Sequence, residues 1–136
     1  MSWWIAGLIA GVVAYLVDWV MWSKVFTKGM DAFAEWPAAG QPVNMGPMLM
    51  KSAALSILFG LFLAFVYAKF MGSLWVMGGG ALAGMEFAAV LWLPICFQTV
   101  GGAVWYTKVK PLFSATCWAW LARMLAAGLV VGLLIK

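Results

Sequence analysis

Few side chains in this chain are equipped for chemistry. The carboxylates are Asp18, Asp31, Glu35 and Glu86, the thiols are Cys96 and Cys117, and there is no histidine. Without histidine there is no axial imidazole for a haem, no Ser-His-Asp hydrolysis, no two-histidine zinc site and no histidine proton switch. A nucleophile and its base cannot be assembled from what remains, so the chain is expected not to be an enzyme and to carry no cofactor. Cys96 and Cys117 sit in apolar stretches without C-x-x-C spacing and read as small buried hydrophobes rather than a disulfide framework. That leaves Glu86 and Arg123, each inside a long apolar run, as the residues whose placement most demands a reason.

The elements that must position them follow from composition. Of 136 residues, 67% are apolar and 9% charged, against roughly half and a quarter in ordinary soluble chains. The solvent for most of this surface is therefore a bilayer. Runs of about 20 apolar residues extend over 3–22, 53–71, 74–97 and 112–135, and they are continuous rather than alternating, which excludes a β-barrel. The first run has no basic residue before it and no small-residue cleavage site after it, so it reads as a retained helix and not as a secretory signal. The expectation is an all-α, polytopic transmembrane four-helix bundle, one domain over residues 1–136, with two tandem helical hairpins as one way to build it.

Depth then suggests a pairing. Counted at 1.5 Å per residue, Glu86 and Arg123 each lie about 16 Å into their helices from opposite surfaces, so both reach the bilayer midplane, where a lone charge is costly. An intramembrane Glu86–Arg123 ion pair is expected, with Trp120 one turn from Arg123 offering a ring face. Such a pair either fixes the register of two helices or belongs to a polar pathway for a proton or cation, made by Asp18, Glu86, Arg123 and Gln98. Asp18, with Tyr15 and Trp22 one turn away on either side, is expected to reach Lys24, Lys51 or Lys108 at the interface. Pro94 should kink the third helix, because it cannot donate to the Val90 carbonyl.

In lipid, helices associate through close backbone approach. Small residues form ladders for this: Gly7 and Gly11 on the first helix; Ser52, Ser56, Gly60, Ala64 and Ala68 on the second; Gly80, Gly84 and Ala88 on the third; Gly128 and Gly132 on the fourth. Grooves left over would accept a second copy or another membrane subunit. The first and third helices align at an offset of 73 residues, Gly7-to-Gly11 on Gly80-to-Gly84 and Trp19 on Trp92. The second and fourth align at 64, Pro47 on Pro111. A parallel internal repeat is one explanation, chance similarity of apolar sequence the other.

The lysines sort by side. Lys24, Lys28, Lys51, Lys108 and Lys110 flank the two inter-helix segments that share one side, whereas Lys69 and Lys136 occupy the other. The positive-inside rule places those segments in the cytoplasm and both termini outside. The net charge of +4 thus reads as anchoring at headgroups, with the bilayer as partner and no nucleic acid. The connecting segment contains prolines and glycines, with a short interfacial helix expected near 30–36. Met45, Met48 and Met50 offer thioethers at a spacing that suits Cu(I), although methionine is abundant throughout and no other metal site is expected.

The run from Tyr15 to Phe26, YLVDWVMWSKVF, with Trp22-Ser23 followed by Phe26 and Lys28, resembles the opening of small four-span membrane proteins grouped as domain of unknown function 1761. A glycine-rich third helix with an aromatic centre and the pair Lys110-Pro111 are similar too. Neither Glu86 nor Arg123 belongs to that pattern. The resemblance implies a bacterial inner-membrane protein and no assigned activity.

Overall fold

The computed structural model describes residues 1–25, 45–75, 79–105 and 110–135. In it the apolar runs become α1 (Trp3–Val20), α2 (Met45–Phe70), α3 (Ala81–Trp105) and α4 (Lys110–Leu134). A π-helical turn, Met21–Val25, prolongs α1, and a short 3-10 turn, Met71–Ser73, ends α2. All four are long and apolar enough to cross a membrane, and among the described residues no strand occurs. The chain is an all-α four-helix bundle and a multi-pass membrane protein. The segment 26–44, where the interfacial helix near 30–36 was expected, lies outside the described residues, as do the side chains of Met45 and Met48; Met50 is exposed.

Large apolar side chains point outward on every helix, as lipid-facing surfaces require, with Leu58, Phe62, Leu82 and Phe97 all exposed. The inside is built differently. The buried stripe of α1 is Ala6, Gly7, Ala10, Gly11 and Ala14, so no side chain there exceeds a methyl group and a neighbouring backbone can lie directly against it. Ser56, Gly60 and Ala64 of α2 are buried against this stripe. A Cβ on Gly11 would come within 2.7 Å of the Ser56 carbonyl oxygen, and one on Gly60 would strike the Gly7 carbonyl and the Gly11 backbone. In the second hairpin a Cβ on Gly84 would strike the Gly128 carbonyl, and one on Gly132 the Gly80 carbonyl and the Gly84 backbone.

The closest of these approaches correspond, although a Cβ on Gly7 would meet Leu61 whereas one on Gly80 would meet nothing within 4 Å. Gly7 and Gly11 stand to Gly60 as Gly80 and Gly84 stand to Gly132, and Ser56 stands to Gly11 as Gly128 stands to Gly84. The offset is 73 residues between α1 and α3, as expected, but 72 between α2 and α4 (Gly60 to Gly132). The expected offset of 64 is therefore wrong. Aligning prolines matched helix entrances, whereas the glycines at the close approach set the true register. At these offsets Trp19 corresponds to Trp92, Lys51 to Arg123, Asp18 to Leu91, and Met21, where the π turn begins, to Pro94. Each hairpin thus interrupts the regular ladder of its first helix at the same height.

The hairpins do not join symmetrically. α1 and α4 run backbone to backbone, while α2 and α3 scarcely approach; across that wider side the rings of Tyr67 and Phe87 meet edge to face at 5.5 Å. The small-residue ladders are used inside the chain: Gly7 and Gly11 face α2, and Gly84 faces α4.

Helix α3 starts at Ala81, later than the expected 74. Gly79 and Gly80 have φ of 75° and 93°, a backbone region that only glycine enters freely and that a right-handed helix does not contain. By hydropathy alone this glycine-rich stretch is indistinguishable from a span.

Candidate functional site

The late start of α3 changes the depth of Glu86. It is five residues, about 8 Å, into the helix, near the end where the termini lie. Gly84 faces Gly128 and Gly132, and following the antiparallel register seven residues down both helices brings Leu91 level with Arg123, with Glu86 roughly one and a half turns away. The expected Glu86–Arg123 pair is accordingly not formed. Glu86 Oε1 instead accepts the backbone N–H of Trp75 at 2.8 Å, tying the turn after α2 to the first turns of α3. Glu86→Gln keeps an acceptor for the Trp75 N–H, so that hydrogen bond should survive the substitution; amide exchange at Trp75 in detergent micelles measures this, and much faster exchange in the variant would show that the bond needs the carboxylate charge.

The carboxylate beside Arg123 is Asp18. Arg123 Nη1 lies 3.7 Å from Asp18 Oδ2, with 10% and 24% of the two side chains exposed. Among the described residues this stands in place of the expected pairing with Lys24 or Lys51, and the third expected partner, Lys108, lies outside them. The α1–α4 approach brings the pair together, a tertiary fact that depth counting on separate helices does not contain. The guanidinium is held more firmly by other groups. Its Nη2 donates to Ser56 Oγ at 2.9 Å, and its carbon lies 4.8 Å from the Phe59 ring centre and 4.6 Å from that of Trp120. Those rings meet each other edge to face at 5.7 Å. The expected Trp120 contact is present, and Ser56 and Phe59 are partners the sequence reading missed. Spacing on α2 could have suggested Ser56, the one hydroxyl buried on the ladder, but nothing local marks Phe59.

The Arg123 Nε–H is buried without a hydrogen-bond partner. The Asp18 carboxylate accepts a hydrogen bond from Trp22, whose indole can only donate. Trp22 lies in the π turn, four residues after Asp18, a separation that puts the two side chains on one face of a helix.

Asp18 also lines a cavity of about 360 Å³, with Tyr15, Trp19, Trp22, Ser23, Leu49 and Ser52. It lies between α1 and α2 at the end from which the inter-helix segments leave. A second cavity of about 270 Å³ lies at the same end between α3 and α4, lined by Trp92, Cys96, Thr99, Val100, Lys110, Phe113, Ser114, Cys117 and Trp118. Gln98 is exposed and lines neither, so of the expected pathway only Asp18 and Arg123 come together. Ser52, half-buried on the α2 ladder, also lines the first of these cavities. Among the described residues no three histidine, cysteine, aspartate or glutamate side chains converge as a metal site. No protein-family model, no curated protein and no solved structure matches the chain.

Proposed function

We propose that this is a non-catalytic integral membrane protein that binds a small organic cation at Asp18 and carries it between the cytoplasmic side and the bilayer interior. The carrying observation is the imbalance around the ion pair. Arg123 keeps a 2.9 Å hydrogen bond to Ser56 and two ring faces, but its contact with Asp18 is 3.7 Å, beyond hydrogen-bond reach. A pair built only to pin two helices would be bidentate with its donors satisfied. Here the carboxylate keeps capacity for another cation and faces a cavity whose other walls include Tyr15, Trp19 and Trp22. Aromatic faces around a carboxylate attract quaternary and protonated amines through the ring quadrupole, and the volume falls in the range of small-molecule sites. Lysines flanking this end support its cytoplasmic placement.

Action through packing alone, as a homo-oligomer or accessory subunit, draws less support. The glycine grooves that would receive a partner are occupied by the chain's own helices.

The test uses the full chain in lipid nanodiscs with tetraethylammonium and tetrapropylammonium as probes. Calorimetric titration should show saturable binding that Asp18→Asn weakens at least tenfold, about 1.4 kcal/mol, and proteoliposomes should take up labelled probe only with Asp18 present. Equal binding by wild type and Asp18→Asn would return the pair to a purely structural role.

A further inference from the structure

The second cavity corresponds to the first through the internal offsets, with Trp92 in place of Trp19 and Cys96 in place of Ser23. Its chemistry is different. The position matching Asp18 is Leu91, so the wall holds no carboxylate. It holds instead both cysteines of the chain, Cys96 on α3 and Cys117 on α4, each a free thiol. Both side chains line this one cavity, from facing helices. Their backbone setting is pinned: the Trp92 indole N–H donates to the Cys117 carbonyl at 2.9 Å, and the Thr99 hydroxyl donates to the Cys96 carbonyl at 3.0 Å. Lys110 lines the same space.

We propose that this cavity is a Cu(I) site in which Cys96 and Cys117 bind the ion as a two-coordinate bis-thiolate. Two convergent sulfurs are too few for tetrahedral zinc or an iron–sulfur cluster, and no third histidine, cysteine, aspartate or glutamate joins them among the described residues. Soft thiolates with low coordination number select Cu(I). The balance is two thiols plus Cu(I) giving a bis-thiolate complex and two protons released to water, with copper unchanged in oxidation state. The complex carries one negative charge, and the Lys110 ammonium on the cavity wall opposes it. Trp92, Phe113 and Trp118 stand beside the thiols, and the hydroxyls on the wall, Thr99 and Ser114, are hard donors that compete poorly for a soft ion.

The experiment titrates the full chain, reduced and in detergent, with Cu(I) buffered by bicinchoninate. One Cu(I) per chain is expected, with X-ray absorption showing sulfur-only, two-coordinate copper. Cys96→Ser and Cys117→Ser should each weaken binding more than about 100-fold, beyond the range typical of outer-shell partners, and Lys110→Ala about tenfold. Copper should also protect both thiols of the unmutated chain from N-ethylmaleimide, a readout that needs no variant to fold. Wild-type affinity in the doubly substituted chain, unprotected thiols, or equally tight Zn(II) binding would each overturn the assignment.

Discussion

Gly84→Ala is expected to destabilise the bundle by about 3 kcal/mol, at the upper end for overpacking. The added methyl would strike the Gly128 carbonyl and stand 2.7 Å from the Gly132 nitrogen. Neither is a side chain that can swing aside, so the α3–α4 hairpin must part along its length. Membrane helices have no hydrophobic drive between them to offset such a separation, because association rests on close van der Waals approach. Gly72→Ala is the control: nothing lies within 4 Å of a Cβ there, and the change should fall within about 0.5 kcal/mol. Unfolding by denaturing detergent in bicelles, monitored by circular dichroism, gives both numbers. Equal tolerance at the two glycines would mean that the helices do not pack by backbone contact.

Arg123→Leu should cost about 3 kcal/mol, the range for stripping one partner from a buried ion pair. It removes the hydrogen bond to Ser56, both ring contacts and the charge beside Asp18. Arg123→Lys should recover about half, since an ammonium keeps the charge without the planar face that stacks between Phe59 and Trp120. Asp18→Asn should cost only about 1 kcal/mol, a typical net hydrogen-bond contribution, because Arg123 retains its other supports. The double change Asp18→Leu with Arg123→Leu should regain more than half of the single arginine loss, as apolar replacement of a whole buried pair often does. If Asp18→Asn proves as damaging as Arg123→Leu, the 3.7 Å contact is the main fastening and the solute-binding proposal loses its basis. The same unfolding assay distinguishes these cases.

Much of the fold was legible because bilayer physics leaves few options. Continuous apolar runs must be helices when every backbone group has to be satisfied internally, and ladders at Gly7, Gly11, Gly60, Gly84, Gly128 and Gly132 mark the faces that touch. Legibility stopped where information is tertiary or conformational. The start of α3 depends on the positive φ of Gly79 and Gly80, which hydropathy does not register, and the resulting shift assigned Glu86 to Arg123. The partners of Arg123 on other helices, Asp18, Ser56 and Phe59, depend on which helices become neighbours. Spacing along one helix is silent about that. The residues of the site were half recognised in advance, Asp18 and Arg123 as members of a polar path and Trp120 as a ring, while their assembly was not.

One asymmetry has a mechanical corollary. Arg123 and Asp18 tie α4 to α1, but the matching positions at the other junction are Lys51 and Leu91, which attract nothing in each other, and there one ring pair spans α2 and α3. The bundle is therefore latched along one seam and merely closed along the other. Strain that separates the hairpins is expected to open the α2–α3 side first, with α1 and α4 as the spine.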